Sequence, residues 1–289
     1  MKNHSAIPDP RTNAYRPDLA DASLRGMVNA ARYREPVIRQ CVKGVVPLLA
    51  APEMGAPRVS EIRYGEFLDV FELPGAGNGF AWVQNRADRY VGYLPSVEAL
   101  SEKIADLSSR ISALRTFVYA EPDLKSPVLD ELTLGSYVQL GPVEGGFRKL
   151  ASGGHVFARH TAPADEILAE DYIFTAGRML NAPYLWGGRT PRGIDCSGLV
   201  QLALEIASFD CPRDTDQQRE AFGKPLPHHW RDMPWQRGDL VFFDKHVGIM
   251  TGPDHIIHAN AYTMSVTVEP VFDVVMRGAE IVAAGRPVS

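Results

Sequence analysis

The chain has 289 residues, 45% of them hydrophobic and 22% charged, with a formal net charge of −5. That size suits two or three small globular domains, and the slight acidic balance excludes the basic surface that nucleic acid or an anionic membrane selects. No apolar run approaches the roughly 20 residues of a membrane-spanning helix, and three cysteines (Cys41, Cys196, Cys211) are too few for a disulfide framework, so a reducing, cytoplasmic setting is expected.

Residues 1–36 read as a polar, proline-bearing leader with one helix over about 19–33 and no apolar signal core. From 37 to 100 the texture changes to short β-rich runs (KGVVPLLAAP, EFLDVFELPG, GFAWVQNRAD, RYVGYLP) parted by Gly and Pro, the spacing of a small barrel. Val97, Leu100, Ile104, Leu107, Ile111 and Leu114 fall at helical spacing and predict a linker helix. It leads into a second β-rich stretch that completes a domain over 101–160 (TFVYAEP, GSYVQLGP, GFRKLASGG, HVFARH). The two stretches share an order of elements, a faint internal repeat. Residues 161–289 then run helix first, over about 166–179, and strands later, an α+β arrangement.

The chemistry concentrates in this last region. In NAPYLWGGRTPRGIDCSGLVQLALEIA a glycine-rich loop precedes apolar residues at helical spacing (Leu199, Val200, Leu202, Ala203, Ile206), and Asp195 or Ser197 can cap the helix start. Cys196 therefore sits at a helix N-terminus, where unpaired amides and the positive end of the dipole favour a thiolate and could hold an oxyanion. Such a nucleophile needs a base, and the base an orienting group. Downstream, DLVFF, HVGIM, IIHANAY and SVTVEPV read as consecutive strands, with a TGPD turn between the second and third. Folding that hairpin about Gly252 sets His246 opposite His258, one ring able to bond the other; a one-residue slip would put them on opposite faces. Cys41 and Cys211 read as small buried apolar residues, and His155, His160, His228, His229 and His255 as ordinary loop or turn residues. Neither C-x-x-C nor H-E-x-x-H spacing occurs, so no metal site is expected.

The segments PYLWGG, DCSGLV, GDLVFF and HVGIM resemble the signature blocks of NlpC-type cell-wall peptidases, over roughly 163–289. The resemblance implies a papain-like catalytic domain with Cys196 as nucleophile, His246 as base, His258 as its orienter and Tyr184 beside the oxyanion. It implies no metal or organic cofactor, and a reaction at the bond between γ-D-glutamate and a diamino acid in peptidoglycan-derived peptides. The two β-rich stretches resemble the bacterial SH3-like domains of the cell-wall peptide recycling branch. That likeness implies contacts to a free N-terminal L-Ala from Glu66, Tyr90 and Asp214, backbone contacts from Asp195 and Ser197, and a pocket wall from Trp186. An exported hydrolase of intact wall and an inactive wall-peptide binding module are the alternatives.

Overall fold

The structure, a computed structural model, describes residues 7–73 and 79–287. The chain divides into two compact units, Met1–Ala164 and Asp165–Ser289.

The N-terminal unit is built almost wholly of antiparallel strands. Its first sheet has seven, in spatial order Arg58–Arg63, Val45–Leu49, Val91–Leu94, Ala81–Asn85, Phe67–Glu72, Val37–Cys41 and Leu100–Ser101. Their inward residues, among them Val46, Leu48, Ile62, Leu68, Val83 and Leu94, form one core. A five-stranded and a three-stranded sheet follow, over a second core of Ile111, Val118, Leu132, Val138, Leu150 and Val156. The faint repeat in the sequence is a repeat of hydrogen bonds. Ala50 N–H donates to Pro57 and Ala120 N–H to Pro127; Gly65 donates to Cys41 and Gly135 to Ile111; Glu66 donates to Arg63 and Ser136 to Thr133. Glu66 thus has Ser136 as its counterpart in the second sheet system, and Arg63 has Thr133.

Two expected helices are absent. Over 19–33 the chain makes a two-residue strand, Ala20–Asp21, one 3-10 turn, Ala22–Leu24, and a parallel partner strand, Tyr33–Arg34. Gly26, at φ +86°, interrupts any helix there, and Leu19 packs with Phe71 and Trp82 instead. Over 97–114 only the turn Val97–Ala99 is helical. The apolar spacing there serves two cores: Leu100 packs on the first, Ile111 is buried in the second, and Ile104 between them is 50% exposed.

The C-terminal unit runs helices first, strands later. Helix α1 (Tyr172–Arg178) begins later than its spacing suggests, at the N-cap Asp171, whose side chain accepts from the Ile173 amide. Helix α2 (Cys196–Ile206) is buried at every residue but Glu205, as an apolar helix at the centre of a core must be. Helix α3 spans Thr215–Phe222. The sheet has strands β1 (Leu240–Phe243), β2 (Val247–Met250), β3 (His255–Asn260), β4 (Ser265–Pro270) and β5 (Ile281–Gly285), in spatial order β4-β3-β2-β1-β5, with α4 (Val271–Met276) between β4 and β5. Val241 and Phe243 meet Val271 and Val274 of α4 in one core, while the alternate Leu240 and Phe242, also buried, point to the other face. Helix α2 packs on β2 and β3.

The hairpin register fixes the site. Ile249 pairs with Ile257 and Met250 with Ile256, so the turn is centred one residue later than Gly252. Position 246 then lies across from position 260, and His258 is its diagonal neighbour rather than its direct partner. The two-residue offset keeps both rings on one face, because side chains alternate with period two. Gly248 falls opposite His258: a Cβ there would sit 3.0 Å from His258 Cβ and 2.6 Å from Ile256 Cδ1. The glycine of HVGIM is what lets the histidine strand lie close.

Candidate active site

Cys196 is the first residue of α2 and is 8% exposed. Its sulfur lies 3.7 Å from the Thr215 hydroxyl at the start of α3. Burial, then the Asp195 charge, push the thiol up, while Thr215 and the backbone at Val247 and Ser197 pull it back. Desolvation thus opposes the thiolate that the helix start favours. The Val247 backbone that meets this sulfur belongs to the residue directly after His246.

His246 Nε2 is 2.7 Å from His258 Nδ1. His258 is 1% exposed and reaches on through Nε2 to Glu269 Oε1 at 2.7 Å. Arg277 Nη2 closes the chain 2.6 Å from the same oxygen. Burial, reinforced by His258, drives His246 down from the ordinary 6.5 to about 3, and Glu269 opposes the shift without reversing it. His258 is lowered too, again chiefly by burial. Burial thus disfavours the charged form of all three groups, the thiol and both imidazoles.

The sign of this linkage is testable. Unfolded, His246 takes up a proton near 6.5; folded, it stays neutral to about 3. Between those values the unfolded state binds more protons, so stability falls as pH drops through that window. The slope contributed is at most about 1.4 kcal/mol per pH unit. Urea midpoints measured from pH 7 to pH 4 are expected to decline more steeply for the wild type than for His246→Gln. Parallel curves contradict the neutral buried imidazole.

The loop that leads into Cys196 is held by charge. Asp195 caps α2 through the Gly198 amide (2.7 Å) and accepts from the Gly187 amide (2.9 Å). Arg213, 1% exposed, grips both Asp195 oxygens at 3.0 and 2.7 Å and the Ser197 hydroxyl at 2.9 Å. Asp195 and Ser197, read from sequence as substrate contacts, have side chains engaged within the chain, and what they do in the structure is hold this loop. Gly198 completes the fit, since a Cβ there would lie 2.3 Å from the Gly188 carbonyl oxygen.

Tyr184 is bound at its backbone to the Met264 carbonyl. Burial first, then the proximity of Cys196 and the Asp195 carboxylate, push its phenol up to about 12, so it keeps an O–H to donate. Trp186 is 69% exposed. Asp214 opens α3 in a capping box with Gln217, next to Thr215. Glu66 and Tyr90 belong to the N-terminal unit. Glu66 accepts from the Arg63 amide and guanidinium (2.9 Å each) and from Asn85 at 3.3 Å, and Tyr90 is in the first core. Cys41 is fully buried, its thiol pushed up to about 12 chiefly by desolvation, as an inert core cysteine should be. Among the described residues no group of three or more His, Cys, Asp or Glu could hold a metal ion.

Sequence reasoning missed Thr215, Arg213, Glu269 and Arg277. Glu269 was within reach of it: on β4 it stands two residues beyond Thr267, the partner of His258, and so on the same face. Arg213 gave no signal, because a lone arginine in PRDTDQQ is ordinarily solvated.

The C-terminal unit thus sets a thiol at the start of a buried helix against an antiparallel sheet that carries two hydrogen-bonded imidazoles. Residues 181–283 match the NlpC/P60 family, and residues 48–98 match the bacterial dipeptidyl-peptidase SH3 domain. The chain thus carries an NlpC/P60 peptidase domain together with a bacterial dipeptidyl-peptidase SH3 domain. It is 29% identical over 235 residues to dipeptidyl-peptidase 6 of Lysinibacillus sphaericus, covering 74% of this chain and 84% of that protein. With the gamma-D-glutamyl-L-lysine dipeptidyl-peptidase of Bacillus subtilis it shares 37% identity over 99 residues, 32% of each chain. The crystal structure of an NlpC/P60 family protein from Bacillus cereus superposes with a TM-score of 0.71 at 19% identity, covering 86% of this chain and 99% of that one.

Proposed function

We propose that this chain is a cysteine endopeptidase that hydrolyses the γ-D-glutamyl–diamino acid bond of peptidoglycan-derived peptides bearing a free N-terminal L-Ala. The observation that carries the reading is the 2.7 Å contact between His246 and His258, made on the strand whose Val247 backbone meets the Cys196 sulfur. In the reaction, Cys196 attacks the γ-carbonyl as its proton passes to His246. The oxyanion is received by amides at the start of α2 and by the Tyr184 hydroxyl. His246 returns the proton to the leaving amine, and a water that it deprotonates clears the acyl-enzyme. Trp186 offers exposed aromatic surface for the peptide.

Recognition of the amine is assigned to the carboxylate of Glu66. Supporting this for Glu66, the second sheet system builds the same turn with Ser136 and Thr133 where the first has Glu66 and Arg63. The buried ion pair is therefore not a requirement of the turn, and its presence in one copy alone suits a site for charge. The names of the Lysinibacillus and Bacillus relatives support dipeptide release from a γ-D-glutamyl peptide.

Mass spectrometry of L-Ala-γ-D-Glu-diamino acid tripeptides, free and N-acetylated, tests both layers. The free amine is expected to give a kcat/KM about 30- to 150-fold higher, the equivalent of charge-assisted hydrogen bonds worth roughly 2–3 kcal/mol that the acetylated peptide cannot make. Equal rates remove the amine contacts and leave the peptidase; no cleavage of either removes the peptidase.

A further inference from the structure

The third and fourth members of the histidine chain determine what the first can do. Glu269 accepts from His258 Nε2 and from Arg277 at one oxygen, 2.7 and 2.6 Å away. Burial alone would raise its carboxyl, but the bonds from Arg277 and His258 overcome that and hold it below the ordinary range, so it is ionised. An ionised carboxylate has no proton to give. The 2.7 Å contact therefore requires the hydrogen on His258 Nε2. A neutral His258 is then bare at Nδ1, and its contact with His246 Nε2, also 2.7 Å, requires His246 to be the donor. One proton on each ring leaves His246 Nδ1 as its lone-pair nitrogen.

We propose that Glu269, held by Arg277, is a positioning residue that fixes the tautomers of both imidazoles and so makes His246 Nδ1 the atom that takes the thiol proton. The proposal deepens the peptidase reading and rests on it for its catalytic consequence. The proton balance is simple. As the bond from Sγ to the carbonyl carbon forms, the thiol hydrogen moves to Nδ1, giving an imidazolium with hydrogens on both nitrogens. The Nδ1 hydrogen then leaves with the amine as the carbon–nitrogen bond breaks. The Nε2 hydrogen stays on His246 throughout, and none passes to His258 or Glu269. Glu269 acts through charge and orientation, by steadying the transient imidazolium.

The charged and titratable groups around this chain come from every side. Cys196 and Asp195 lie at the start of α2, Tyr184 lies in the loop before it, Glu269 is on β4, and Arg277 follows α4 and stacks 4.5 Å over the Tyr262 ring. Glu269 is the anion bonded to His258, and Arg277 the cation behind it, with side-chain exposures of 16% and 30%. The four groups converge only when β2, β3, β4 and the end of α4 are assembled.

Two measurements decide the matter. In the full chain carrying Cys196→Ala and 15N-labelled histidine, His258 is expected to show its hydrogen on Nε2, with assignment by His258→Gln. This readout does not depend on turnover. In Glu269→Gln the side-chain amide can donate to Nε2 and turn both rings over, so kcat is expected to fall by at least about tenfold. KM is expected to stay within about twofold, since Glu269 is not assigned to substrate. The acidic limb of kcat/KM should move to lower pH as the imidazolium loses its facing anion, and Glu269→Asp should recover part of both effects.

A hydrogen on His258 Nδ1 overturns the proposal. So does a Glu269→Gln enzyme with wild-type kcat and an unmoved limb, and so does a fall in kcat with neither tautomer nor limb altered. If the variant fails to fold, the labelling result on a chain with Glu269 intact still decides. A wild-type chain that leaves the tripeptide uncut removes the peptidase reading, while the tautomer measurement stands by itself.

Discussion

Replacing Cys196 by alanine is expected to abolish tripeptide hydrolysis, with kcat reduced by about 10^4-fold or more, while the peptide continues to bind. The size follows from the way such a site works. The nucleophile and base act as a unit, so removing the nucleophile forfeits nearly the whole gain of the covalent route. His246 cannot substitute by activating a water in its place, because that water would have to attack the uncleaved amide directly, without the acyl-enzyme that the covalent route prepares for it. Binding should survive because Cys196 is only 8% exposed and offers the substrate little surface beyond the reacting sulfur. Calorimetry with the intact tripeptide should therefore give a Kd within a few-fold of the wild-type KM, and mass spectrometry no product. Turnover by the alanine variant within tenfold of wild type would remove Cys196 from the mechanism.

The division between what could and could not be read from the sequence is itself physical. Cys196 at a helix start and the two histidines on one sheet face follow from local periodicity and a single hairpin, contacts of short sequence range. The register error of two residues at Gly252 did no harm, since alternation returns the same face. By contrast the predicted helices at 19–33 and 97–114 failed because helical spacing of apolar residues says nothing of which core each will join. Leu100 and Ile111 serve different sheets. The thiol shows a related limit. The dipole of a helix start is legible in sequence, whereas the burial that opposes it belongs to α2 as a whole packed on β2 and β3. Arg213 was invisible because its partner lies 18 residues away, at the opposite end of α2.

Arg213 should prove the costliest single loss to stability in the C-terminal unit. Its guanidinium makes a two-pronged pair with Asp195 and also reaches the Ser197 hydroxyl and the Gly188 carbonyl, all in a region shut from water. Such a pair gains little over apolar packing when whole, yet breaking it strands a charge, at about 3–5 kcal/mol. Arg213→Met is therefore expected to lower the melting temperature by roughly 10 °C or more. It should also loosen the turn that presents Cys196, because Asp195 caps α2 and ties down Gly187 with the same carboxylate. The decisive comparison is a double-mutant cycle. Asp195→Asn keeps an oxygen for the Gly198 amide but removes the charge, so the double variant leaves neither ion alone and should be more stable than the sum of the two single losses predicts. Strict additivity would mean that Arg213 and Asp195 are independent, and that the loop beneath the nucleophile is held by its backbone amides instead.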